Sequence, residues 1–370
     1  MTYTATSFSL RRRPLTARGR DRAVGVWLLS VGLMIFATVI LGGITRLSGS
    51  GLSIMEWKPL MGTLPPTSTA EWNRIFGLYQ QIAQYKHINA GMTLPGFQNI
   101  FWWEYSHRLW DRIIGLVFLV PFLWFLFRGY LRRGSGSRVG APRLAAIFAL
   151  GALEGFLGWY MVSSGFEDRD SVSQYRLVLH LIMAVFIYAL ILWSAFDLLQ
   201  PDRIAGHRGR IRGAANNTRL LVVLIFCEMA LGGLVAGLHG GLVYNDFPFM
   251  NGAWIAPDLW SMSPWWVNIT ENPGCAQFLH RIGAGLVTLT VIALAIRATS
   301  PDLAGVLRAR ILLVGLGLVI QVTLGILTLR LLVPLPLAAA HQGGALLLLS
   351  LTLFLMHGFK RAAAGYNGIT

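Results

Sequence analysis

Long apolar stretches separated by short polar ones dominate the pattern of this chain. Apolar runs of spanning length occur near 24–43, 106–127, 144–163, 176–196, 219–238, 277–296, 311–330 and 337–357. Each is long enough to cross a hydrocarbon core of ~30 Å as a helix, and a helix satisfies its own backbone there. The second, fourth and sixth runs carry a few charges at one end, which leaves their starts open by several residues. The pattern therefore predicts an all-α membrane protein with eight transmembrane helices and both termini on one side. The first run is of spanning length, so it reads as a membrane span and not as the core of a cleaved leader.

Composition agrees. The chain has 370 residues, 55% hydrophobic and 13% charged, with a mean hydropathy of +0.57, whereas soluble domains carry roughly a quarter charged residues. These figures exclude a soluble globular domain, a disordered chain and a collagen-like fibre. Two cysteines, Cys227 and Cys275, exclude a disulfide framework.

A net charge of +15 would suit a nucleic-acid partner, but its distribution decides against one. With residues 1–23 inside, the inner segments carry Arg11, Arg12, Arg13, Arg18, Arg20, Arg22 and the later clusters in 128–143, 203–219 and 297–310, then Lys360 and Arg361. That is 21 of the 31 basic residues, against Asp21, Asp197, Asp202 and Asp302. This is a positive-inside signature, so both termini are expected in the cytoplasm, with membrane lipid as the surroundings and no nucleic acid. The outer loops at about 44–104 and 239–275 are rich in tryptophan, glycine and proline, as ordered interfacial caps are.

The two halves repeat. Leu41-Gly42-Gly43 returns as Leu231-Gly232-Gly233, His107-Arg108 as His280-Arg281, Leu157-Gly158 as Leu324-Gly325, and His180 as His341. The offset falls in steps at the loops, as duplication followed by loop trimming leaves it. Four spans per copy give both halves the same orientation, a parallel repeat about an axis along the membrane normal. The expected architecture is two tandem, pseudo-symmetric four-helix bundles, 24–200 and 219–358. A basic tail (1–23), a cytoplasmic linker (201–218) and a carboxy-terminal tail (359–370) complete the chain.

Four of the eight histidines, His107, His180, His280 and His341, stand at repeat-related places near the outer end of even-numbered spans. Two imidazoles facing each other across a bundle suit bis-axial ligation of haem iron, and bundle cores house cofactors. Zinc would need a third ligand recurring in both halves, yet Glu104 of one half is Gln277 in the other. His87, His207, His239 and His357 have no repeat partners and read as solvated or interfacial. Arg108 and Arg281 follow their histidines directly. They suit charge-assisted bonds to haem propionates, and equally suit snorkelling at a helix end.

One asymmetry suggests chemistry. Glu104 lies three residues before His107, on the same helical face, while Gln277 lies three before His280. One site thus has an ionisable group beside the metal, as proton-coupled oxidation requires and electron relay does not. A first-turn carboxylate favoured by the helix dipole would look the same. Glu154 and Gln321, four residues before Gly158 and Gly325, repeat the pattern, and Glu228 lies mid-span. Carboxylates within a membrane are costly and usually functional; a proton route and an interhelical hydrogen bond are both open readings. The paired glycines read as close helix packing.

These motifs resemble haem A synthases. The resemblance rests on Leu41-Gly42-Gly43-Ile44-Thr45-Arg46-Leu47-Ser48-Gly49-Ser50-Gly51-Leu52, Glu104-Tyr105-Ser106-His107-Arg108 and Phe278-Leu279-His280-Arg281. The Trp57-Lys58-Pro59 segment resembles the proteobacterial and mitochondrial branch. The likeness covers roughly 24–358. It implies oxidation of the C8 methyl of haem O to the formyl group of haem A in a bacterial inner membrane, with the sites toward the periplasm. It assigns His107 and His180 to the substrate haem, His280 and His341 to an electron-relaying haem b, and the acidic role to Glu104. Haem O synthase and oxidase assembly factors are the partners it suggests. The cysteine pairs of Gram-positive members are missing, so no thiol role is carried over. The runner-up is a di-haem b protein that only transfers electrons. A transporter would call for broken helices and polar residues at the midplane.

Overall fold

The computed structural model describes residues 16–56, 61–131, 138–166, 169–200, 204, 212–301 and 303–366. The Trp57-Lys58-Pro59 segment, His207, most of the amino-terminal tail and most of the 201–218 linker lie outside the described residues. The helices in chain order are α1 (Ala17–Leu47), α2 (Thr69–Tyr79), α3 (Ala83–His87), α4 (Leu94–Phe127), α5 (Ala141–Ser163), α6 (Gln174–Leu199), α7 (Arg212–Gly237), α8 (Asn268–Glu271), α9 (Pro273–Ala298), α10 (Gly305–Arg330) and α11 (Leu335–Tyr366). Eight of these, all but α2, α3 and α8, are long and apolar enough to cross a membrane. Their outward faces are greasy: Leu33, Leu116, Val120, Leu289, Leu312 and Val319 are all exposed, as lipid-facing positions require.

The packing follows the repeat. In the first half α1 touches α4 and α6, and α5 touches α4 and α6; in the second, α7 touches α9 and α11, and α10 touches α9 and α11. Each half is thus a closed ring of four helices with the same neighbour order. The halves meet through α6 on α7, α1 on α11, and α6 on α11. The first two contacts are repeat images of each other. This is the two-bundle architecture that the shrinking offset predicts.

The apolar runs mark the spans correctly but start α4 too late. The sequence places His107 within two turns of the span start, whereas α4 begins at Leu94, nearly four turns earlier. Its 34 residues make about 51 Å at 1.5 Å each, well beyond the bilayer core. The excess carries Phe97 and Phe101 into an outer cap, where they bury with Leu52, Tyr79, Ile82 and Tyr105. The first long loop is therefore folded, with α2 packed on this extension and α3 set against α2 through Tyr85 on Phe76 and Tyr79. A second cap gathers Tyr244, Met250, Ala256, Leu259 and Cys275. Asn272 fixes where α9 begins: its side chain accepts from the amides of Gly274 and Cys275 at 2.9 and 3.2 Å, with Pro273 at the first helical position. This N-cap arrangement sets His280 two turns into the helix.

Candidate functional site

The four repeat-related histidines share one construction: each ring lies against a glycine on the neighbouring odd-numbered span. A methyl group added at Gly42 (α1) would stand 2.9 Å from His107 Nε2, and one at Gly158 (α5) 3.0 Å from His180 Cε1. At Gly232 (α7) it would stand 3.1 Å from His280 Cε1, and at Gly325 (α10) 2.8 Å from His341 Cε1. At Gly42 and Gly325 a Cβ would have to displace the ring, and at Gly158 and Gly232 the ring would have to give by a few tenths of an ångström. The glycines that read as generic helix packing therefore have a specific task. In each Gly-Gly doublet the first residue seats a histidine of its own half, and the second faces the other half. Gly43 lies against Gln342 of α11, and Gly233 against Val178 and Leu181 of α6.

The residue four positions before each of these glycines stands one turn away on the same face. In two cases it is a glutamate that reaches the histidine. Glu154 Oε1 is 2.8 Å from His180 Nδ1, and Glu228 Oε1 is 3.0 Å from His280 Nδ1. The third is Gln321, whose side-chain oxygen lies over Gly344, three residues beyond His341. The fourth is Thr38, which donates at 2.6 Å to Asp111; that carboxylate is 3.8 Å from His107 Nε2. Glu154 is also within electrostatic reach of His107 and Asp111, so the histidine-bearing helices of the first half face one another across the bundle.

The spacing of the second pair suits an ion held between two imidazoles. The centroids of His280 and His341 are 6.4 Å apart with perpendicular ring planes. Metal–imidazole bonds are about 2 Å, and a ring centroid lies roughly 1 Å behind its coordinating nitrogen, so two rings on one ion have centroids about 6 Å apart. Among the described residues no three His, Cys, Asp or Glu side chains form a cage for a bare metal ion. Paired imidazoles in apolar bundles are a donor set that fits haem iron.

Glu104 is buried at 2% exposure and held by three donors. Its Oε2 accepts from Ser53 Oγ at 2.7 Å and from the Ile54 amide at 2.8 Å, and its Oε1 takes Arg108 Nη2 at 2.5 Å. Arg108 also donates to the Ile54 carbonyl at 2.8 Å. The second half repeats the scheme with neutral chemistry: Gln277 donates to the carbonyls of Gly240 and Tyr244, and Arg281 donates to Gln277 Oε1 at 3.0 Å. Arg281 further donates to the carbonyls of Tyr244, Asp246, Pro248 and Phe249. Both arginines thus fasten a loop to a histidine-bearing helix, loop partners that the sequence does not suggest. Arg46 lies one turn outward of Gly42 on α1, and its charge helps to lower the pKa of His239, behind the larger effect of desolvation.

The remaining histidines divide. His87 is exposed and lies 2.6 Å from Asp170, and His239 is exposed too, both as expected. His357 is not solvated or interfacial: it is fully buried, with Nε2 3.0 Å from Asp197 Oδ1 and its ring against Trp193 and Phe196. Its partner is 160 residues away in sequence, which is why span-end position misleads.

Comparisons with known proteins bear on this geometry. The family model COX15-CtaA, described as cytochrome oxidase assembly protein, matches residues 25–353. A protein of Nitrosospira multiformis named heme A synthase is 45% identical over 341 residues, which cover 92% of this chain and 94% of that one. The heme A synthase of Rhodospirillum centenum is 44% identical over 357 residues, covering 96% and 93%. That of Bradyrhizobium sp. is 45% identical over 336 residues, covering 89% of each.

Proposed function

The chain belongs to the COX15-CtaA family, and we propose on that premise that it is a haem A synthase, an oxidoreductase converting the C8 methyl of haem O to a formyl group. The amino-terminal half takes haem O between His107 and His180. The carboxy-terminal half holds haem b between His280 and His341. The observation that carries this reading is the glycine-seated histidine repeated four times, two per bundle, with one pair at an ion-bridging separation. When bound, the resident haem supplies reversible one-electron chemistry. The basic inner loops favour an inner-membrane orientation that puts the sites toward the periplasm. Haem O synthase and oxidase assembly factors are the partners we propose with this reading.

Oxidising a methyl to an alcohol and then to an aldehyde removes hydrogen at each step, so protons must leave as electrons do. Glu104 is the residue we assign to that need. It sits one turn from His107, fixed by Ser53, Ile54 and Arg108. An anion so held is placed to take a proton or to steady positive charge growing at the methyl carbon. Glu104→Gln keeps the size and makes this half resemble the Gln277 half. The variant should bind both haems and lose roughly two orders of magnitude in turnover, read as the ratio of haem O to haem A in membranes that make haem O. Haem A at the parental level would remove Glu104 from the mechanism.

The histidines are tested by pigment and spectrum. Extracted wild-type pigment should contain haem O or A beside haem B; haem B alone would favour the electron relay. His280→Ala and His341→Ala should each remove a low-spin haem b signal from an inserted protein. His107→Ala and His180→Ala should abolish haem A formation and leave that signal intact. Loss of both haems together would show that the halves are not independent sites.

A further inference from the structure

Duplication should have left the two halves with matching polar residues around their histidines, and besides Glu104 and Gln277 two further pairs of repeat positions do not match. Glu154 faces His180, but its repeat mate Gln321 stands beside His341. Glu228 faces His280, but its repeat mate is Thr38. Each half therefore keeps one glutamate within 3.0 Å of a histidine Nδ1, on opposite members of the pair. Both glutamates are largely enclosed, with side chains 15% and 17% exposed. The second has a fitted seat: a methyl group added at Gly283 would lie 2.0 Å from Glu228 Oε2. Two isolated carboxylates inside a membrane bundle are costly, and interhelical adhesion alone gives no reason for one per site at non-equivalent places.

We propose that Glu154 and Glu228 are positioning residues, each accepting a hydrogen bond from the Nδ1–H of one histidine of a pair and so making that histidine the stronger donor. The inference rests on the haem-ligand reading of the four histidines. A ligating histidine commonly gives its second N–H to a carboxylate, which fixes the tautomer, orients the ring and raises its basicity. In this structure both Nδ1 atoms are buried beside the glutamates without an aligned hydrogen bond. A small rotation of each ring would turn Nδ1–H onto the carboxylate and leave Nε2 as the nitrogen for iron in His180 and His280. A more basic imidazole stabilises ferric over ferrous iron, so these contacts lower the reduction potential of each haem. Their removal should raise it. A tenfold weaker preference for ferric iron corresponds to about 59 mV in a one-electron midpoint.

The experiment is a spectroelectrochemical titration of the purified full-length protein. Glu228→Gln should raise the midpoint of the haem held by His280 and His341 and leave the other unmoved, and Glu154→Gln should do the reverse. Gln321→Glu is the complementary variant: it places a carboxylate beside His341 and should lower the midpoint of the carboxy-terminal haem. Glu228→Asp should restore part of the parental value, which a packing role would not produce. Haem retained with midpoints unmoved in Glu228→Gln and Glu154→Gln overturns the proposal. If Glu228→Gln sheds its haem, Gln321→Glu decides: a lowered midpoint supports the assignment, while an unmoved one or loss of haem counts against it. A wild-type protein with no bis-histidine low-spin haem would instead refute the ligand reading itself.

Discussion

At the residue scale, the absence of a side chain does as much here as its presence. Gly325 and Gly315 lie on the same helix, yet a methyl group at Gly315 would meet nothing within 4 Å while one at Gly325 would stand 2.8 Å from His341. Glycine to alanine inside a helix gains helix propensity, so Gly315→Ala should be neutral or mildly stabilising. Gly325→Ala must push the imidazole aside, and overpacking of this kind typically costs about 1–3 kcal/mol. We expect Gly325→Ala to lose or distort the low-spin signal of the carboxy-terminal haem while Gly315→Ala keeps it, read from reduced-minus-oxidised spectra at equal protein. Indistinguishable spectra would mean that the ring has room to move and that the seat is not needed.

At the scale of elements, what was readable along the chain was whatever is written locally. Spans appear as apolar runs, although α9 starts at Pro273, a few residues before the run near 277–296, because Asn272 caps it there. The start of α4 was hidden because its first turns are aromatic and polar residues that fold against the outer cap, so no apolar run marks them. The arginines lie on their helices four residues after Glu104 and Gln277, a spacing that makes those contacts legible. Their other partners are loop carbonyls 32 to 54 residues away, which spacing cannot reveal. Arg281 is the clearer case, because its guanidinium draws five acceptors from one loop and one turn of α9. Hydrogen bonds to a charged group contribute about 1.5–3 kcal/mol. Arg281→Ala should therefore loosen residues 244–249 by at least that much, seen as at least tenfold faster cleavage of the second outer loop by an added protease. Unchanged cleavage would show that the hydrophobic cluster around Met250 and Leu259 holds the loop unaided.

At the scale of the whole molecule, two bundles must keep their sites in a fixed relation, and the end of the spans opposite the four histidines shows how. Asp197 at the end of α6 is a buried hub. It accepts from Arg143 of α5 at 2.9 Å and from Lys360 of α11 at 3.0 Å, stands 3.0 Å from His357, and receives Arg361 and Arg138 on its carbonyl. It thereby ties α6, which carries His180, to α11, which carries His341, at the end opposite the ligands. In sequence Asp197 is one inner acid among many basic residues, and nothing local marks it as a junction. Removing one member of a buried ion cluster is worse than never having built it, because the remaining charges stay enclosed without compensation. The usual cost is about 3–5 kcal/mol, moderated here because Lys360 is half exposed. Asp197→Ala should lower the thermal midpoint of the detergent-solubilised protein by several degrees and leave both haem spectra intact at low temperature, since no ligand is touched. Asp197→Asn keeps an acceptor for His357 and should fall between the two. A midpoint equal to the parent in both variants would mean that the apolar contacts of α6 with α11 suffice to join the halves.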